Sequence, residues 1–383
     1  MSYLLLAMAA AAGIYQALVL VAALRRLLSR EPEAGWTPPV SVLKPIRGLD
    51  PHFSECIRSQ ALQDYPEFEI VFGVSDPADP AIPEIEGLAA EFPERPIRLI
   101  VSSTQAPNGK VGVLADLAAA ARYPILVVND SDIRVAPDYL RRVVAPLEDP
   151  RNGVVTCLYR AHAEHWPGRF EGIGIATDFA PGVLVAPLVG VSEFGLGATL
   201  AFRAGNLDQI GGFAALADYL ADDYQLSRRI RGLGLRVVLS RVVVETCLPD
   251  AGWKEVWRHQ LRWARTIRMS RGGGYLGLPL SNATLWSVAL ALAGFGWAAL
   301  ALFGLRLIAG LVVGAGVLED RRTLPDFFLI PLRDLWGAAL WAGGLFGFTV
   351  IWRGFRLRLS RDGRIVEVGP EVLPDLTGLR GTR

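Results

Sequence analysis

Apolar and polar positions divide the chain into three zones. Residues 3–24 form an unbroken apolar block without a charge, long enough to cross a bilayer as a helix. Between about 36 and 250, short apolar runs alternate with amphipathic stretches. Strands are expected at 40–43, 68–74, 97–101, 125–128, 154–158, 200–203 and 235–239. Helices are expected at 51–63, 81–91, from Asn108-Gly109-Lys110 onward, and at 224–231, where Gly232 and Gly234 act as stop signals. Residues 165–191 are apolar, irregular and rich in Gly, Pro and Phe. From 284 the chain turns apolar again, at 284–303, 304–318 and 335–350.

Strands alternating with helices imply an α/β fold with a mostly parallel sheet, which binds ligands beyond the carboxyl ends of its strands. Asp76, Asp79, Asp130 and Asp132 all fall at such ends. Asp130 and Asp132 are two apart, so on a persisting strand both point the same way. Paired carboxylates there suit a hard divalent cation, Mg²⁺ or Mn²⁺; a polar strand-to-loop turn is the competing reading. Asp222 and Asp223 open the 224–231 helix, where capping and dipole compensation are the ordinary role. Residues 252–271 place Trp253, Val256, Trp257, Ala264 and Ile267 on one face and Arg258, Arg262 and Arg265 on another. Such a helix fits the membrane surface, or a place where phosphates meet it. A helix packed on the domain with a solvated basic face has the same pattern.

Charge sets an orientation. Arg25, Arg26 and Arg30 follow the first apolar block, whereas a signal peptide carries its positive charges before it. The positive-inside rule therefore keeps the middle zone in the cytoplasm. Pro32, Gly35, Pro38 and Pro39 form a linker. Arg353, Arg356, Arg358, Arg361 and Arg364 make the end of the chain basic and cytosolic, so 335–350 is expected to be re-entrant or to lie on the membrane surface. The resulting organisation is an anchor (1–26), a catalytic domain (36–250), an interfacial helix (251–275), membrane segments (284–352) and a basic tail (353–383).

Composition adds limits. The 51% hydrophobic content and mean hydropathy of +0.32 are high for a soluble protein. A net charge of +1 gives no sign of nucleic-acid binding. Cys56, Cys157 and Cys247 are scattered, which fits a reducing compartment. The four histidines are too dispersed to suggest a metal cluster.

An acidic α/β site opening toward a membrane suits sugar transfer from a nucleotide-sugar to a lipid. That chemistry needs a metal and basic groups for the departing diphosphate, and a base for the attacking hydroxyl. Asp130 with Asp132 would hold the metal, and Asp223 is the candidate base. Arg262, with Trp263 stacking, is the candidate diphosphate clamp.

The ordered motifs resemble the inverting glycosyltransferases with the signature D, DxD, D, (Q/R)xxRW, and within them the ceramide glucosyltransferase family, whose bacterial branch includes hopanoid-biosynthesis enzymes. The resemblance runs through Ser41-Val42-Leu43-Lys44-Pro45-Ile46-Arg47-Gly48, Asp64-Tyr65-Pro66, Asp76-Pro77-Ala78-Asp79, Asn108-Gly109-Lys110, Asp130-Ser131-Asp132, Asp222-Asp223-Tyr224 and Arg262-Trp263. Arg333 and Trp352-Arg353-Gly354 also fit. It implies a nucleotide-diphospho-sugar transferase (GT-A type) fold with transmembrane helices at both ends. It assigns Lys44, Pro45, Asp76, Asp79, Lys110, Asp130, Arg262 and Trp263 to the nucleotide-sugar, Asp130 and Asp132 to Mg²⁺ or Mn²⁺, and Asp223 to the base. The implied reaction moves glucose or N-acetylglucosamine from a UDP-sugar to a membrane lipid such as ceramide or a hopanoid, at the cytoplasmic face of a bacterial inner membrane. Three departures stand out. His259 opens the last motif, Asp222 replaces a glutamate, and Gly112 and Val113 stand where the family has asparagines. A polysaccharide synthase of the same signature, or a non-catalytic scaffold, are the rival readings.

Overall fold

The structure is a computed structural model and describes residues 2–29 and 35–370. Arg30, Pro32 and the chain beyond 370 lie outside the described residues. The strands in chain order are β1 (Val40–Pro45), β2 (Phe68–Val74), β3 (Ile97–Val101), β4 (Ile125–Val128), β5 (Ile133–Arg134), β6 (Asn152–His162), β7 (Leu200–Arg203), β8 (Arg236–Cys247), β9 (Thr349–Trp352), β10 (Phe355–Leu359) and β11 (Ile365–Pro370). The first eight make one sheet in the order β3-β2-β1-β4-β7-β6-β8-β5. β3, β2, β1 and β4 pair in parallel, as do β6 and β8; β7 joins the two groups antiparallel to both.

Both faces of this sheet are covered, so its strands read as continuous apolar runs. Val42, Ile70 and Val127 face one core with Ile57, Ile85 and Tyr139. Their neighbours Leu43, Val71 and Val128 face the other, with Leu114, Leu117 and Phe202. β8 continues well past the expected 235–239. Ser240 and Arg241 interrupt the apolar run, and a register shift against β6 then lets it resume at Val242 and Val244, both buried.

Three helices are long and apolar enough to cross a membrane: Tyr3–Leu28, Trp166–Val189 and Gly296–Val317. The bent pair Gly272–Ser281 and Ala283–Leu292, at 49°, makes a fourth if counted as one span. The first helix packs through Ala9 and Ala12 on Ala283, Leu290, Ala299 and Leu302; small residues there let the backbones approach. It leaves Tyr3, Leu4, Ile14 and Leu28 exposed, an apolar surface suited to lipid.

The membrane half differs from the sequence pattern in four ways. Residues 165–191 are helical for most of their length, not irregular; apolar Gly/Pro-rich sequence can hold a helix once neighbours satisfy its backbone. The break expected at Gly304 lies instead at Gly294, whose φ of +85° ends one helix before the next starts at Gly296. The 335–350 segment is the end of a helix, Ile330–Gly344, and the start of β9. The basic tail is not a tail as far as residue 370, because β9, β10 and β11 form an antiparallel three-stranded sheet.

The helix Ile330–Gly344 is fixed inside the bundle by one ion pair. Arg306 Nε and a terminal nitrogen donate to the two Asp334 oxygens at 2.9 and 2.7 Å, and both side chains are only 4% exposed. Thr284 adds a hydroxyl to the same carboxylate. Arg306→Met should therefore leave Asp334 charged and unpaired, at a cost of about 3–5 kcal/mol. Thermal unfolding of the detergent-solubilised protein is expected to show that loss, and to show much of it recovered in the double variant with Asp334→Leu.

Candidate functional site

The site lies where β1, β4 and the helix Asp222–Gly232 end or begin. β1 delivers Lys44, fully buried, whose ammonium donates to the Asp130 carbonyl at 2.7 Å. Burial lowers its pKa to about 8 even though Asp132 and Asp130 act in the opposite direction. The helix Gly109–Ala120 begins at Asn108, whose side chain accepts from the Val111 amide, and so places Lys110 in its first turn. Lys110 Nζ lies 2.7 Å from Asp130 Oδ1 and 3.5 Å from Asp222 Oδ2. Burial acts to deprotonate it, but the surrounding carboxylates win and hold it above its ordinary range.

Asp130 and Asp132 meet at this place. Asp132 Oδ2 accepts from the Thr246 hydroxyl at 2.6 Å and Asp130 Oδ1 takes Lys110. Each has its other carboxylate oxygen without a hydrogen bond among the described residues. Burial pushes Asp132 up to about 6, and Asp130 adds to the rise. Two converging carboxylates, each with an oxygen free of hydrogen bonds among the described residues, fit Mg²⁺ or Mn²⁺.

Asp223 sits opposite. Its Oδ1 accepts from its neighbour's amide, Tyr224 N, at 2.7 Å, and its Oδ2 from Gly197 N at 2.9 Å. Burial pushes it up to about 6, with Asp222 beside it adding to the shift. Asp222, raised by burial in the same way, is restrained by Lys110. The Gly195–Gly197 turn before β7, visible in the sequence only as a turn, is therefore part of the site. A Cβ on Gly197 would lie 3.2 Å from Asp130 Oδ2 and 3.5 Å from Asp223 Oδ2. Gly197→Ala should lower the turnover rate by roughly ten- to a hundredfold through displaced carboxylates, with the melting temperature little changed.

The helix Trp253–Ser270 lies beside the site and packs on the helix Ile330–Gly344, Trp257 against Trp336. Arg262 carries a guanidinium that makes no hydrogen bond among the described residues, although Asp130, Glu171 and Asp223 all act on it. Its burial brings the pKa down to about 10. Trp263 stacks near His259, ring centroids 4.6 Å apart, and near Phe179 at 6.5 Å, which in turn lies 5.3 Å from Tyr159. His259 Nδ1 is 2.8 Å from Glu171 Oε1. This aromatic wall runs from the acidic cluster to the apolar helices. The expected basic face is divided: Arg265 donates to the Phe346 and Thr349 carbonyls at 3.0 and 2.6 Å, tying the helix to the start of β9.

Lys44, Lys110, Asp130, Asp132, Asp222, Asp223 and Arg262 thus gather at one place. Asp76 and Asp79 do not join them. Asp79 is buried and accepts from the Ala81 and Gly48 amides, both at 2.9 Å, which ties the loop after β2 to the loop after β1. Asp76 is exposed and caps its own turn at Ala78. Pro45 ends β1 opposite Gly73. Two contributors had no sequence signal: Glu171, inside an apolar stretch, and Asp50, which takes the Ser131 hydroxyl and both terminal nitrogens of Arg353. The histidines are less dispersed than their spacing suggests, since His52, His162 and Glu164 bring potential ligand atoms within 4.8 Å.

The sequence model of glycosyl transferase family 21 matches residues 4–365. The chain belongs to that family. It is a glycosyltransferase. Ceramide glucosyltransferase 1 of Caenorhabditis elegans is 23% identical over 343 residues, covering 86% of this chain and 73% of that protein. The ceramide glucosyltransferase of Candida albicans is 33% identical over 126 residues, which is 30% of this chain and 23% of that protein. Among solved structures, a mannosyltransferase from Pyrobaculum calidifontis, in complex with GDP-Man and Mn²⁺, matches 88% of this chain and 99% of its own with a TM-score of 0.55 at 20% identity. That likeness shows a GT-A type fold.

Proposed function

We propose that this glycosyltransferase moves a hexose from a UDP-sugar to a hydroxyl of a membrane lipid, with inversion, at the cytosolic face of the membrane. The observation that carries the reading is Arg262: a half-buried guanidinium without a hydrogen-bond partner among the described residues, within electrostatic reach of Asp130 and Asp223. A half-buried guanidinium with its donors free and carboxylates nearby is placed to bind an anionic diphosphate.

The acceptor enters laterally along Tyr159, Phe179 and Trp263, so that its hydroxyl reaches Asp223. Asp223 takes the hydroxyl proton, the oxygen attacks the anomeric carbon, and the bond to the UDP oxygen breaks on the opposite side. Lys110 and Arg262 hold the departing diphosphate. A Mg²⁺ or Mn²⁺ on Asp130 and Asp132 would neutralise the charge that collects there. Asp79 supports the loops around the nucleotide and does not touch the reacting atoms.

The test is incubation of the purified enzyme with UDP-glucose or UDP-N-acetylglucosamine and extracted lipids, including ceramides and hopanoids. Mass spectrometry should find one glycolipid class, and NMR of its anomeric proton should show inverted configuration. Free sugar or a polymer as the sole product would overturn the lipid acceptor; retained configuration would overturn Asp223 as the base.

A further inference from the structure

We propose that Arg353, at the tip of the hairpin joining β9 and β10, is a second phosphate-binding cation that exchanges its Asp50 partner for the donor's diphosphate. The assignment rests on the reading of the acidic cluster as the donor site. Arg353 and Gly354 are the two central residues of a tight hairpin, with φ of 50° and 79°. Such turns favour Asn, Asp or Gly, so a long arginine at a left-handed position is strained. His52, two residues after Asp50, also has positive φ, at 56°. Both segments that meet at the Asp50–Arg353 pair are thus held in unfavourable backbone conformations.

The pair itself does not explain this. Arg353 donates to the two Asp50 oxygens at 3.0 and 3.1 Å, but its side chain remains 39% exposed. An ion pair that open to solvent is weak, and a glycine at the tip would remove the strain. What the position does provide is reach. Asp50 also takes the hydroxyl of Ser131, the residue between Asp130 and Asp132, and both of those carboxylates act on Arg353. Arg353 also acts on Arg262, so the two guanidiniums share one electrostatic neighbourhood. A fork that binds a carboxylate at two oxygens binds phosphate in the same way.

The scaffold keeps the tip in place. Arg265 and Arg268, from the helix that carries Arg262, donate to the Thr349 carbonyl at the start of β9 and the Leu345 carbonyl before it. β11 bonds to the segment preceding Asp222, with Ile365 N to Asp218 O at 2.6 Å. The hairpin is therefore braced by the two elements that carry Arg262 and Asp223.

The experiment is calorimetry of UDP binding to the full chain in detergent with saturating Mn²⁺. Arg353→Ala should weaken UDP roughly tenfold or more, and Arg353→Lys should recover only part of the loss. Asp50→Asn should tighten UDP or leave it unchanged, because it frees the cation. Unaltered UDP affinity in Arg353→Ala, or equal weakening by Arg353→Ala and Asp50→Asn with matching falls in melting temperature, would reduce Arg353 to a structural staple and overturn the proposal. Binding lost in Arg262→Ala but kept in Arg353→Ala overturns this assignment alone. A wild-type protein that binds no UDP overturns the donor reading and the assignment with it.

Discussion

Asp223→Asn is expected to lower the transfer rate by roughly a thousandfold or more while UDP binding survives, the loss typical of a general base. Asp223 touches two backbone amides and no cation, so the donor pocket loses no positive charge. The pH profile gives an independent reading. Burial holds Asp223 near 6, so kcat/KM of the wild type should be flat above about pH 7 and fall as Asp223 becomes protonated below about 6. Asp132 titrates in the same window, but excess Mn²⁺ should move its contribution to lower pH and leave that of Asp223 in place. Stability runs the other way. Because the folded pKa lies above the ordinary 3.8, the folded state binds more protons between the two values, and folding stability falls as pH rises through them. The Asn variant keeps an acceptor for only one of the two amides, which offsets the relief of the buried charge, so its melting temperature should stay close to that of the wild type. A variant that loses UDP affinity together with activity would place the base elsewhere.

Arg262→Ala is the second large effect, expected to reduce kcat/KM by about a hundred- to a thousandfold, the scale of removing a preorganised charge from a leaving group. The diagnostic is what happens to the fold. A buried arginine with hydrogen bonds would take stability with it when removed. Arg262 has none among the described residues, and truncation removes a half-buried charge whose desolvation lowers its pKa. The melting temperature should hold or rise. Arg262→Lys should recover little activity, since a point charge cannot present two parallel donors.

The sequence was most legible where one kind of burial dominates. β2, β3 and β7 begin and end where expected; every residue of β2 is buried, whereas β3, at the sheet edge, is only partly covered and is still marked by its Ile and Leu residues. The acidic cluster was legible for a different reason. Asp130, Asp132 and Asp223 occupy strand ends or helix starts, which chain connectivity brings to one edge of a parallel sheet. Asp79 satisfies the same rule, yet its carboxylate went to two amides. Periodicity reports where a side chain starts and is silent on what it meets. The membrane half was least legible. Trp166–Val189 is apolar like a lipid-facing helix, but more than half of its apolar stretch is buried, 61% against 22% for Tyr3–Leu28. In a chain apolar on every side, hydropathy does not separate a helix facing lipid from one facing protein. Glu171 was lost for that reason. Arg353 was read as one basic residue among several and as part of the Trp352-Arg353-Gly354 match, without a role, since only the hairpin's backbone shows its direction.

Gln16 carries a consequence for how the protein is made. It is buried in the first helix, and its amide donates to the Ser281 carbonyl at 3.1 Å, a partner 265 residues further along the chain. On the ribosome, that helix emerges long before its partner has been synthesised, and the whole nucleotide-binding domain comes between them. Until then an amide that finally rests against protein has to be accommodated by lipid headgroups or by the insertion machinery. A fragment ending before residue 281 would therefore lack the carbonyl that this buried amide meets.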